Sequence, residues 1–240
     1  MLHSVLVPVG DETHQAYLTL PDAKQAPYPG VVVIHDIFGF SPDLRRHCER
    51  FADAGYAAIG PDLYRGGHPS CVVKTLASLA SGRGFAYQVI DAARTFLAER
   101  NDVDAGRIGV VGFCMGGGFA LIAGADQSFA VAAPFYGAVP RNASRLKGLC
   151  PTIAQYGAED TVYLSHARRL MRHLEELGIE HEVHVYEGVG HSFMNDHGNR
   201  PLARWARHTP IHAFYDPTTE TRAWNALLDF LQRHAGKSNG

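Results

Sequence analysis

Two hydrophobic patterns alternate along this chain. The first is a short, unbroken apolar run rich in β-branched residues, as a strand buried on both faces requires. Residues 31–34 and 108–111 read this way, and 56–59, 129–135, 152–156 and 181–186 read as further strands. In the second, apolar residues return every three or four positions, the spacing of a helix with one face on a core. Leu44, Cys48 and Phe51 recur so, as do Phe85, Val89, Ala92, Ala93, Phe96 and Leu97. Ala167, Leu170, Met171, Leu174 and Leu177 form a third stripe, and Trp224, Leu227, Leu228 and Leu231 a terminal one.

Punctuation supports the helices. Ser41 and Pro42 offer an N-cap and a first-turn proline, and Gly55 and Gly178 close two of the stripes. Residues 5–7 and 16–20 fit an antiparallel hairpin at a sheet edge. Strand and helix in alternation predict one α/β domain over residues 1–240, a mostly parallel sheet with helices on both faces. In such sheets functional groups collect beyond the carboxyl ends of strands. The residues just after each apolar run therefore carry the most functional information.

Composition narrows the options. A hydrophobic share of 46% lets the chain bury a substantial core. The net charge of −2, without any basic run, leaves no footprint for nucleic acid or an acidic membrane surface. No apolar stretch approaches the roughly 18 residues of a membrane span, and the first residues lack a signal-peptide pattern. Cys48, Cys71, Cys114 and Cys150 are scattered with no CxxC pair, which argues against a zinc ribbon or dithiol centre. A cytoplasmic protein with reduced thiols is expected. Histidine is abundant, but Pro210 interrupts His208 and His212, and strand alternation sends His181 and His184 to opposite faces. No metal site is expected.

The most specific motif is Gly112-Phe113-Cys114-Met115-Gly116, which follows an apolar strand and opens a helix-like stretch. This G-x-C-x-G has the context of a nucleophile elbow, where a strained turn lifts the central side chain above the sheet. Free N–H groups at the helix start favour a thiolate there. The plain alternative is a buried cysteine in a close-packed turn. Gly116, Gly117 and Gly118 also suggest a phosphate cradle, but no Lys-Ser/Thr follows, which excludes a P-loop.

An elbow nucleophile needs an acid and then a histidine later in the chain. Asp160 lies just after the run 152–156, and His191 stands in Gly188-Val189-Gly190-His191 after the run 181–186. His191 would take the thiol proton, and Asp160 would fix its tautomer. Glu159 is the rival acid, and a turn-capping Asp160 and an exposed loop His191 are the plain alternatives.

These residues, with His35-Asp36-Ile37-Phe38-Gly39 and Pro61-Asp62-Leu63-Tyr64, closely resemble the dienelactone hydrolase family over nearly the whole chain. The resemblance implies an α/β-hydrolase fold, a Cys114–His191–Asp160 triad, no cofactor, and hydrolysis of enol-lactones such as those of aromatic degradation. It implies an oxyanion hole from the backbone N–H groups of Ile37 and Met115. It also implies that Asp36, where the family carries glutamate, modulates the resting thiol, and that Tyr64 belongs to the site's surroundings. Asn195 stands where the family has a substrate arginine, and Arg83 corresponds loosely to a second one. Residues 195–214 read as an insertion beside the site, whose Arg200, Arg204 and Arg207 are candidates to hold a substrate carboxylate. The expected ligand is a small ester or lactone, anionic where these arginines bind a carboxylate.

Other functions compete. A general carboxylesterase or thioesterase would use the same machinery. A class I amidotransferase needs glutamate two residues after its histidine, and Phe193 stands there instead. A redox-sensing thiol protein would use Cys114 but would leave Asp160 and His191 unexplained.

Overall fold

A computed structural model describes residues 2–22, 26–67 and 69–235. Strands β1 (Leu2–Val9) and β2 (Glu12–Thr19) form an antiparallel hairpin. Six further strands follow: β3 (Tyr28–Ile34), β4 (Ala57–Pro61), β5 (Val103–Phe113), β6 (Val131–Phe135), β7 (Thr152–Gly157) and β8 (His181–Tyr186). The eight strands run in the order β1-β2-β4-β3-β5-β6-β7-β8. β2 meets β4 antiparallel, and every pairing from β4 to β8 is parallel.

The central strands are sealed on both sides. Val31, Val32, Val33, Ile34, Ile108, Val110 and Val111 are fully buried, each removing enough apolar surface to be worth about 1.5–3 kcal/mol. Helix α1 (Pro42–Asp53) is capped by Ser41, whose hydroxyl accepts from the Leu44 N–H at 3.3 Å. Helix α4 (Met115–Asp126) is buried from Met115 to Gly124 and so has no polar face, as befits the central helix of the domain. Helices α3 (Phe85–Ala98), α5 (Leu164–Leu177) and α7 (Pro217–Ala235) follow the expected stripes. Met171, placed on the α5 stripe, is instead exposed.

Two helices depart from the sequence reading. Helix α2 (Pro69–Ser81) buries Cys71, Thr75 and Ser78, while Val73 and Leu76 face solvent. Its inner face is polar because the hydroxyls bond inward: Thr75 Oγ1 donates to Leu63 O, and Ser78 Oγ accepts from Ala86 N. The segment 195–214 is not a plain loop, since Pro201 starts the short helix α6 (Pro201–Ala206), of which no residue is buried. No helix among the described residues is long and apolar enough to cross a membrane.

Candidate active site

The carboxyl ends of β3, β5, β7 and β8 converge on one cleft of about 910 Å³, lined by Cys114 and His191. Cys114 joins β5 to α4 with φ 56° and ψ −112°, well outside helical or extended backbone. The strain is held because no other path fits. A Cβ on Gly116 would lie 2.4 Å from Ile34 O and 2.7 Å from His35 O, so any side chain there would push β3 away from the turn. The Cys114 N–H bonds Phe135 O at 3.0 Å, tying the turn to β6. Met115 is the first residue of α4, so its N–H belongs to the helix start, where no intrahelical acceptor is available.

Asp160 follows β7 and is fully buried; its neighbour Glu159 is exposed. One Asp160 oxygen accepts from Tyr163 N at 3.0 Å and the other meets His191 Nδ1 at 2.6 Å. His191 is itself buried, with the Tyr136 and Tyr163 rings 4.7 Å away on centroid distances. Burial alone would lower the His191 pKa. Charge on Cys114 and hydrogen bonds to Asp160 and Cys114 outweigh that burial and push it up to about 10. Both neighbours thus favour the charged form of the imidazole over the neutral one.

Two other thiols and two phenols beside the cleft are held in their protonated forms. Burial pushes Cys48 well up and Cys150 up to about 12. Burial, reinforced by the charges of Asp36 and Cys114, pushes Tyr64 up to about 12. Tyr163 rises to about 12 through burial and the charges of Cys114 and Asp160. Both phenols stay protonated, and Tyr64 Oη donates to Met115 Sδ at 3.3 Å from outside the cleft wall.

The loop carrying His191 is clamped by the segment that follows it. His191 N bonds Ile211 O at 2.8 Å, and Phe214 N bonds His191 O at 3.0 Å. The close approach requires Gly190, where a Cβ would lie 2.4 Å from His212 O. Asn195 completes the clamp. Its Oδ1 accepts from Tyr136 Oη, and its Nδ2 donates to Asp43 Oδ2 at 2.6 Å. Asp43 also pairs with Arg46, which reaches Met194 O and Glu220. Burial would raise the Asp43 pKa, but His47 and Arg46 hold the carboxyl well below its ordinary range. Sequence reasoning considered Asn195 only as a missing arginine. It is a buried brace, and its amide is already spent.

The turn after β3 has its own supports. His35 Nδ1 donates to Asp36 O at 2.7 Å while Nε2 accepts from Leu63 N at 3.2 Å. Burial lowers the His35 pKa, in keeping with this neutral tautomer. Asp36 Oδ1 accepts from Phe38 N at 2.8 Å, and Oδ2 lies 2.9 Å from His197 Nε2 without forming a hydrogen bond. Asp36 and the exposed Ile37 both line the cleft. The ligand atoms of Asp36, Asp43 and His197 lie within 4.8 Å of one another. Arg46 on Asp43 places a guanidinium beside any cation there, so the cluster fits a metal ion poorly.

The arginine candidates separate. Arg204 and Arg207 line the cleft. Arg200 lies over the Phe38 ring at 5.1 Å, facing a neighbouring groove. Arg83 is exposed on the turn between α2 and α3, outside the cleft lining.

Comparison with known proteins adds the lineage. The chain is 28% identical over 94% of its length to a protein of Yersinia pestis named "Putative carboxymethylenebutenolidase", covering 85% of that protein. The structure superimposes on a Klebsiella pneumoniae protein named "Putative Dienelactone Hydrolase" with TM-score 0.79 at 22% identity, covering 97% of this chain and 98% of that one. It matches a dienelactone hydrolase of Anabaena variabilis with TM-score 0.73 at 18% identity, covering 98% of each chain. Both superpositions establish the α/β-hydrolase fold. The model of the dienelactone hydrolase family matches residues 14–235, nearly the whole chain, and this protein belongs to that family.

Proposed function

We propose that this protein is a carboxylic ester hydrolase that opens an ester or lactone through a thioester on Cys114, with His191 as acid–base and Asp160 as its orienting partner. One observation carries the reading. A cysteine at positive φ on a strand–helix turn lines one cleft with a histidine that is hydrogen-bonded to a buried aspartate.

The chemistry follows from the charges. The Cys114 sulfur attacks the carbonyl carbon, forming a C–S bond as the carbonyl oxygen takes the π electron pair. The N–H groups of Ile37 and Met115 would donate to that oxygen, each worth roughly 3–4 kcal/mol in the transition state. Collapse breaks the C–O bond, and the departing oxygen leaves with the His191 proton. Water then gives one proton to His191 and its hydroxyl to the acyl carbon. The second collapse breaks the C–S bond, releasing the acid and restoring thiolate and imidazolium. No step draws on a cofactor. A thiolate leaves a tetrahedral intermediate more readily than a simple alkoxide, so substrates with stabilised leaving groups are favoured.

The test is acyl capture. Rapid quenching with an activated ester is expected to add the acyl mass to the peptide bearing Cys114. Cys114→Ala should lose that adduct and about 10⁴-fold or more of the turnover, with little change in stability. Undiminished turnover by Cys114→Ala would overturn the reading.

A further inference from the structure

We infer that the preferred substrate is an uncharged ester with an extended apolar acyl chain, laid along α6. The inference rests on the hydrolase reading and specifies the substrate of the same site. Four large apolar side chains are exposed around this cleft: Ile37 at 53%, Val162 at 46%, Leu202 at 51% and Trp205 at 67%. They come from the turn after β3, the loop after β7, and α6. Leu202 and Trp205 are three residues apart and so share a helix face. Helix α6 buries nothing, so these two side chains are not there to hold the fold. The segment is instead held by backbone bonds, Thr161 N to Pro210 O, His191 N to Ile211 O and Phe214 N to His191 O.

Several polar groups of the cleft are already engaged. Asp36 Oδ1 accepts from Phe38 N, Asp216 caps α7 through Thr219 N, and Asp196 accepts from Gly198 N. Arg207 stacks on Phe214 at 5.3 Å. Both guanidinium groups that line the cleft, on Arg204 and Arg207, sit on exposed residues, where pairing with a carboxylate gains little. The position that could hold a buried arginine is Asn195, already bonded to Tyr136 and Asp43. What the cleft offers an incoming chain is therefore apolar contact. Each fully buried methylene raises affinity roughly fourfold.

The experiment compares aryl esters of one leaving group whose acyl chain lengthens from acetyl to octanoyl, with an ω-carboxylate counterpart of the longest. For the parent protein, kcat/KM should rise about tenfold or more along the series, the open cleft retaining only part of the full gain, and should fall for the ω-carboxylate. Trp205→Ser and Leu202→Ser should pull the octanoyl-to-acetyl ratio toward one. A second measurement does not depend on turnover. In Cys114→Ala, the octanoyl ester should perturb the tryptophan fluorescence, and Trp205→Phe should remove most of that change, since the second tryptophan, Trp224, is buried. A flat series, a preference for the ω-carboxylate, or a dimer that buries Trp205 would overturn the inference while leaving the hydrolase reading intact. Absence of turnover with every ester would instead defeat that reading.

Discussion

The β5–α4 turn and the arm formed by residues 195–216 face each other across the cleft and are built on opposite principles. In the turn, Cys114 is held at φ 56° by neighbours packed so closely that a single Cβ at Gly116 would strike the β3 backbone. In the arm, α6 buries no residue, and Leu202, Arg204 and Trp205 stand in solvent. On the proposed reading, reaction geometry tolerates little error and sits where packing leaves one solution. On the same reading, substrate contact can vary and falls to the exposed helix of the arm. The two meet at His191, which lines the cleft together with Cys114 and whose backbone is bonded to the arm.

The largest effect expected from breaking this join is at His191 itself. His191→Asn should reduce turnover by about 10³-fold or more and slow alkylation of Cys114 at neutral pH, because the cation beside the sulfur is gone. The pH dependence has a definite sign. The His191 pKa lies above its ordinary value, at about 10. Its ion pair thus contributes fully to stability below the ordinary pKa of roughly 6.5, and that contribution is lost as pH rises through about 10. Thermal melts from neutral to alkaline pH should fall more steeply for the parent than for His191→Asn. Parallel curves would mean that the imidazolium is not part of the resting site.

The turn was far more legible in the sequence than the arm. A nucleophile elbow writes itself locally, as an apolar strand, glycines two residues either side of Cys114, and a helix. Asp160 was preferred to its rival Glu159 on the sequence, and the structure buries the first and exposes the second. Helix α2 was missed because its buried stripe of Cys71, Thr75 and Ser78 reads as polar, a pattern satisfied only by inward hydrogen bonds. Helix α6 was missed because six residues give too little periodicity, and Pro201 fits a loop as well as a first turn. The role of Asn195 could not be read at all, since its partner Asp43 lies 152 positions away.

An intermediate effect is expected where the arm is pinned. Asn195→Ala removes the donor to Asp43 and the acceptor from Tyr136, leaving buried polar atoms unmatched. Such losses cost about 1–3 kcal/mol, which in a domain of this size lowers Tm by roughly 2–4 °C per kcal/mol. Catalysis should suffer as well, because Asn195 follows the His191 turn and its N–H bonds Ser192 O at 2.9 Å. An unchanged Tm would show that the arm is anchored elsewhere, through the backbone bonds that Ile211 and Phe214 share with His191.

The smallest effect is expected at Arg83, and the contrast gives it value. The family resemblance assigns this position loosely to a substrate arginine, but the structure puts it on the exposed α2–α3 turn, outside the cleft lining. Its backbone carbonyl accepts from Ser81 Oγ, an interaction that a new side chain does not remove. Arg83→Gln should therefore change stability by no more than about 0.5 kcal/mol, as surface substitutions generally do. It should leave kcat/KM within about twofold for neutral and carboxylate-bearing esters alike, since an exposed charge in salt contributes little at a distance. Measuring both esters at low and moderate salt separates the possibilities. A selective loss of the anionic substrate, stronger at low salt, would make Arg83 a steering residue and extend substrate recognition beyond the arm. Equal retention of both would confine recognition to the walls of the cleft, with the arm as the part that varies.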